Sequence, residues 1–239
     1  MILGVVQARM GSTRLRGKVM KPILGKPVLA IIIDRLKHCS LLNKIVIATT
    51  NKTEDKIILD FAERYGIDSY AGSEMDIVDR MYQTAKRFGA DAIVRITADC
   101  PLVDPKLVDE IIQIYFENPE ADFISNTIIP SYPDGLDVEL FPIKTLEFLW
   151  YNVKSKFFRE WIAGYILAHP DRFKIINKKS NEDLSSYRLT LDYEEDYQLI
   201  CKIFEKLGSR YEIFYLEDVI DLLRREPDLI KINQKYIRN

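Results

Sequence analysis

Histidine is nearly missing from this chain: His38 and His169 are the two copies, far apart in sequence. A His-based zinc site or a Ser-His-Asp triad therefore has little to build on. Cysteine is scarce as well. Cys39, Cys100 and Cys201 stand singly, which excludes a disulfide framework and a C-x-x-C zinc knuckle and points to a reducing, cytoplasmic setting. No apolar run approaches the roughly 20 residues that span a bilayer. The opening MILGVVQARMG places its Arg after a short apolar run, the reverse of a signal peptide. Net charge is small, −2 from 34 Lys+Arg and 36 Asp+Glu. Bulk binding to nucleic acid or to an anionic membrane is not expected, and any anion site must be local.

Acid is absent from the first 33 residues; Asp34 is the first carboxylate. Within that stretch QARMGSTRLRGKVMKP (7–22) carries Arg9, Arg14, Arg16, Lys18 and Lys21. The rest of the composition, 47% apolar and 29% charged over 239 residues, suits one sizeable α/β domain with a small appended lobe.

Hydrophobic periodicity alternates between the two element types. Continuous apolar runs predict buried strands at 2–6, 44–50, 67–72, 91–96 and 121–126. Between them, helical spacing predicts helices at 27–38, 53–65, 76–88 and 104–117, with Pro27, Asp104 and Pro105 as start signals and Gly66 and Gly89 as stops. Such alternation implies βαβ units and a mainly parallel sheet. Pro130, Pro133, Gly135 and Pro142 break the pattern, and 127–180 reads as an inserted lobe. Helices are expected near 143–152 and 157–168, and short strands near 173–177 and 187–191. The sheet is expected to resume at YRLTLD, before helices near 194–206 and 216–224.

A loop after the first strand of a parallel sheet sits at its carboxyl edge, where ligands bind. Backbone amides near Gly11 and Gly17 can approach a phosphate closely. Arg14 can fork onto phosphate oxygens, and Lys18 offers a compact charge. This chemistry suits a polyphosphate, although the loop fits neither a P-loop nor a Rossmann fingerprint: five residues separate Gly11 from Gly17, and Val19 follows Lys18. The alternative is a merely solvated Arg-rich loop. Polyphosphate chemistry usually brings Mg²⁺, which takes a few carboxylates. Asp99, after the fourth strand, and Asp192, at the end of TLD, fall at the same sheet edge. Asp99 could equally cap a turn before Pro101. Asp192 could cap the helix starting near Tyr193, with Glu195 closing a capping box.

QARMGSTRLRGKV, GSEMDIVDRMYQTAK, RITADCPLVDP, YPDGLDVELF and RLTLDYEEDYQLI, in this order, resemble the cytidylyltransferase family over nearly the entire chain. The likeness is to the spore-coat polysaccharide type, with CMP-Kdo and CMP-acylneuraminate synthetases as more distant relatives. The resemblance implies a Rossmann-like nucleotide-diphospho-sugar transferase fold and a homodimer paired through the 127–180 lobe. It implies Mg²⁺-dependent transfer of CMP from CTP to an acid sugar or phosphorylated small molecule, with release of pyrophosphate, in polysaccharide, glycan or lipid head-group synthesis. Arg9, Gly11, Ser12, Arg14 and Lys18 would hold the triphosphate and Ala8 would line the nucleotide pocket. Asp79 and Arg80 would lie near the base, and Asp99 and Asp192 would hold the metal. Asp134, Asp137, Glu139, Arg159 and Glu160 would face the acceptor. Arg16, Ala98, Trp161 and Ala163 stand where the family usually has Pro, Gly, His and Thr; Trp161 fits either a helix core or a dimer contact. Two rival readings share the fold: a transferase using another nucleoside triphosphate, and a non-catalytic nucleotide-sugar sensor.

Overall fold

Five apolar residues in a row suit a strand with both faces covered, and that strand is the centre of the molecule. The structure, a computed structural model, describes residues 1–208 and 212–237. Strand β1 (Ile2–Gln7) lies between two parallel neighbours, β4 (Lys44–Thr50) and β6 (Ala92–Thr97). Its side chains alternate: Ile2 and Val6 join one apolar cluster, Leu3 and Val5 the other. The first cluster takes in α1 (Val28–Leu36), α2 (Lys56–Tyr65), α4 (Pro105–Glu117), α8 (Glu194–Leu207) and α9 (Leu216–Arg225). The second takes in α3 (Ile77–Phe88) and α5 (Ile143–Asn152). Each fully buried aliphatic side chain contributes roughly 1.5–3 kcal/mol, so both faces of the sheet are strongly specified.

Seven strands run in the order β5-β4-β1-β6-β8-β7-β9, where β5 is Asp68–Gly72, β7 Phe123–Ser125, β8 Glu139–Pro142 and β9 Ile175–Asn177. Pro22–Ile23 (β2) and Lys26–Pro27 (β3) form a separate small hairpin. Only β8 is antiparallel to its sheet neighbours, so the mainly parallel α/β sheet expected from the sequence is present. The chain builds outward from β1 through β4 to β5, then returns to add β6 on the other side of β1. That reversal opens a crevice beyond the paired ends Gln7 and Thr97.

Three local expectations change. The stretch 127–180 is threaded through the sheet, because β8 inserts between β6 and β7 and β9 forms the edge. Strand β8 is masked in the sequence by the Pro- and Gly-rich approach at 130–135. The 187–191 segment is extended but is no sheet strand. It makes one bridge, Asp134 with Arg188, and otherwise bonds to loops: Leu189 N–H to Asp134 O (2.7 Å) and Leu191 N–H to Asp99 O (2.8 Å). The single helix expected at 157–168 is two, α6 (Lys156–Glu160) and α7 (Gly164–Leu167). The Trp161 ring packs directly over Gly164 at the break, and half of Trp161 remains exposed. Among the described residues no helix is long and apolar enough to cross a membrane.

Candidate active site

The loop after β1 is tied down through its backbone, and Arg9, Arg14 and Arg16 are exposed along it. Ala8 N–H donates to Ala48 O (3.1 Å), one residue past the β1–β4 ladder. Met10 N–H donates to Asp55 Oδ1 at 2.6 Å. Asp55 is itself buried and accepts from the Thr50 hydroxyl. The chain then folds back, with Ser12 and Gly17 N–H donating to Met10 O at 2.9 and 3.3 Å. Gly17 makes the return at φ +67°, a conformation strained for a side-chain-bearing residue. Leu15 and Val19 are buried as anchors, while Thr13, Arg14 and Arg16 are exposed. Arg9 pairs with Glu74 (3.2 Å).

Lys18 points the other way, into the crevice. Its Nζ lies 2.9 Å from Asp99 Oδ2 and 2.9 Å from Asp192 Oδ1. Two carboxylates from distant parts of the chain thus meet on one cationic atom, their oxygens no more than twice that distance apart. Burial alone would lower the Lys18 ammonium, but Asp99 and Asp192 outweigh it and hold it above the ordinary lysine value. Burial would likewise raise the Asp99 carboxyl; Lys18 and a hydrogen bond from Thr97 hold it below the ordinary value. Arg14 Nη2 adds a third ion pair, 3.0 Å from Asp192 Oδ2. Together these groups line a cavity of about 190 Å³ with Gln7, Ala8, Arg9, Ser12 and Ala98.

Asp192 is aimed by its neighbours in RLTLDYEED. Asp196, fully buried, accepts the N–H groups of Asp192 (2.9 Å) and Tyr193 (3.0 Å). The capping box of α8 therefore uses Asp196, with Tyr193 at the cap, and not Asp192 with Glu195. Glu195 points outward to Lys235. Arg188 forks onto Asp196 (3.0 and 2.9 Å), reaches Asp134 (2.7 Å) and lies 3.6 Å from Asp192. The roles of Arg188 and Asp196 were not read from the sequence. The signal was their i−4 and i+4 spacing about Asp192, which has meaning only once the extended segment and helix α8 are known.

Beside this site lies a second cavity of about 340 Å³, lined by Asn126, Tyr132, Asp134, Asp137, Tyr187 and Arg188 among others. Its wall is the YPDGLDVE segment. Asn126 clamps that segment, its amide donating to Leu136 O (2.9 Å) and accepting from Val138 N–H (2.9 Å). Gly135 sits so close to the 189–190 backbone that a Cβ would lie 2.3 Å from Thr190 N. Burial, then Asp134, Glu139 and Asp99, push the Asp137 carboxyl up to about 7, with Arg95 opposing. Glu139, on β8, pairs with Arg95, which also donates to Gln7 Oε1 at 2.8 Å.

The remaining expected site residues stand elsewhere. Asp79 accepts from the Trp150 indole (2.6 Å) and from Gln83 (3.2 Å). Arg80 is buried against the carbonyls of Ser73 and Glu74, and burial lowers its guanidinium to about 10. Arg159 joins Asp76 (2.6 Å) and the carbonyls of Trp150 and Val153, stapling α6 to the start of α3. Glu160 is exposed.

Among the described residues no cluster of three or more His, Cys, Asp or Glu side chains could enclose a metal. The Asp99–Asp192 pair does fit a hard cation that takes its other oxygens from phosphate and water, since both carboxylates already converge on a single positive charge.

The cytidylyltransferase family profile matches residues 3–218. The spore coat polysaccharide biosynthesis protein SpsF of Bacillus subtilis is 33% identical over 234 residues, 95% of each chain. The structure of a cytidylyltransferase from Leptospira borgpetersenii superposes with a TM-score of 0.91 at 31% identity, over 96% of both chains. CMP:2-keto-3-deoxy-manno-octonic acid synthetase, solved in complex with CTP, gives a TM-score of 0.67 at 14% identity, over 86% of this chain and 99% of that one, a likeness of fold.

Proposed function

The chain belongs to the cytidylyltransferase family, and from that premise we propose that it transfers CMP from CTP to an acid sugar or a phosphorylated small molecule, with Mg²⁺ as cofactor. The convergence of Asp99 and Asp192 on Lys18, beside the cationic loop at the crevice between β1 and β6, is the observation that carries this reading. An oxygen of the acceptor attacks the α-phosphorus, the bond to the β-phosphate breaks, and pyrophosphate leaves.

This chemistry asks for positioning and charge neutralisation more than for proton transfer. Arg9, Arg14 and Lys18 surround the cavity that would take the phosphates, and their charge stabilises pyrophosphate as it departs. Ser12 and the N–H groups about Gly11 offer neutral donors beside them. Bound by Asp99 and Asp192, Mg²⁺ would supply Lewis-acid polarisation of the α-phosphoryl group. The acceptor side is the cavity walled by Asp134 and Asp137. Where the attacking group is a hydroxyl, Asp137 is suited to take its proton, because its carboxyl titrates near neutrality.

Asp79, Arg80 and Arg159 each hold a contact within the fold and Glu160 is exposed, so the reading rests first on the loop and the two cavities. Homodimer formation is part of the same reading. Phe157, Trp161 and Tyr151 are each half or more exposed around α5 and α6, which offers an apolar face. The three thiols are unpaired, in keeping with a cytoplasmic enzyme of surface-polysaccharide, glycan or lipid head-group synthesis. The test is pyrophosphate release by purified protein with CTP, Mg²⁺ and a panel of acid sugars and phosphorylated metabolites, with UTP, ATP and GTP as competing donors. Release with CTP alone supports the reading; release only with another triphosphate contradicts it.

A further inference from the structure

We propose that the C-terminal turn, Asn233–Ile237, is a working part of this site, with Tyr236 as a positioning residue for Arg14. The inference rests on the reading of Arg14 as a phosphate-binding group. The turn lies beyond residue 218, where the family match stops.

Three attachments bring the turn to the site. Asn233 is buried, and its amide donates to Arg188 O (3.0 Å) and Asp196 Oδ1 (2.8 Å), the groups that aim Asp192. Tyr236 lies flat on Tyr193, ring centroids 3.8 Å apart and planes 3° from parallel. Ile237 forms part of the wall of the acceptor-side cavity. Lys235 and the Tyr236 hydroxyl also bind Glu195, at 2.6 and 3.2 Å, which fixes the turn to the first turn of α8.

Arg14 needs such support. Its side chain is 49% exposed, on a loop held only through backbone bonds and buried anchors on either side. One ion pair, to Asp192, and the face of Tyr193, 5.4 Å from the guanidinium carbon, define its direction. One ion pair at the tip of a half-exposed arginine leaves the rest of that long side chain loosely held, even with Asp192 buried, so the aromatic face adds to the orientation. Tyr193 is in turn backed by Tyr236. Without that backing the Tyr193 ring gains rotamer freedom, and Arg14 spends less time where it can meet phosphate oxygens. The ion pair to Asp192 also becomes available to break when anion binds, so the ring is the contact that persists.

The test is a double-mutant cycle on CTP binding with Mg²⁺, read by titration calorimetry on the full chain: wild type, Y236A, R14A and the double variant. Y236A should weaken CTP about five- to tenfold, while Y236F, which keeps the stack, should bind as wild type. In the R14A background Y236A should have no further effect, since coupled residues are non-additive. Equal losses in both backgrounds, or the same loss in Y236F, overturn the proposal. Thermal unfolding confirms that each variant is folded, and Y236L replaces Y236A if the latter is not. Failure of the wild type to bind CTP counts against the cytidylyl reading alone. The same cycle with inorganic tripolyphosphate then decides the coupling, and additivity or no binding there overturns the proposal.

Discussion

Lys18 and Asp192 are 174 positions apart in the chain, and the Lys18 ammonium donates to Asp192 Oδ1 at 2.9 Å. The same ammonium holds Asp99, so a single cation keeps two nearby carboxylates from repelling. Removing it leaves an uncompensated buried charge, the costly way to break such a pair. Lys18→Ala should therefore unfold several degrees below wild type in chelator. Added Mg²⁺ should restore part of the loss, because a metal bound by the folded state alone raises its apparent stability. Thermal melts with EDTA and with Mg²⁺ check this; an equal response of variant and wild type to Mg²⁺ would speak against a shared cation site.

Asp137 ties stability to pH in a direction opposite to most carboxylates. Its folded-state value of about 7 lies above the ordinary 3.8. Between those values the folded chain holds a proton that the unfolded chain has lost, so this group's contribution falls as pH rises from about 4 to about 7 and is level above that. Asp137→Asn stays neutral throughout. Its urea midpoint should match wild type near pH 4 and exceed it by pH 8; parallel curves would show that Asp137 is not pushed up.

Gly135 has φ +103°, and any Cβ there would strike the Thr190 backbone at 2.3 Å. Backbone against backbone cannot give way as a side-chain tip can. Gly135→Ala should cost about 2–3 kcal/mol or more in chemical denaturation. Acceptor use should suffer more than CTP binding, because the displaced segment carries Asp134 and Asp137. A variant with unchanged stability would contradict the close approach.

Asp196 is the hub behind Asp192, accepting from Arg188, Asn233 and two backbone N–H groups. Asp196→Asn loses the charge that balances buried Arg188 and should cost about 3–5 kcal/mol, by urea denaturation. Arg188→Lys should fail to substitute, since an ammonium cannot fork onto one carboxylate. Full stability in either variant would show that the network is not what aims Asp192.

How much of this was legible in the sequence depended on where each residue's partners lie. Asp99 could be read because it follows a buried strand that ends at the ligand-binding sheet edge. Asp192 was read on the same ground, but its segment is no sheet strand and reaches the site through bonds to Asp134 O and Asp99 O. Lys18 could be read as a phosphate cation, but its resting place between the two acids could not, since it follows from the fold of the Gly17 turn. Strand β8 was hidden because its four residues, Glu139–Pro142, end on a proline and follow the Pro- and Gly-rich approach, and so look like loop until β6 and β7 enclose them. Arg80, implied by the resemblance to lie near the base, and Arg159, implied to face the acceptor, bind carbonyls and, for Arg159, Asp76, contacts that the sequence did not show. A guanidinium's partner depends on loop geometry that periodicity does not encode.

The central claim is that Asp99 and Asp192 share one metal with CTP. A crystal soaked with CTP and Mn²⁺, examined by anomalous scattering, tests it most directly. The account predicts one manganese peak within bonding distance of both carboxylates and of the triphosphate, with Lys18 turned onto phosphate oxygen. Nucleotide bound elsewhere, or metal held by neither aspartate, would contradict it.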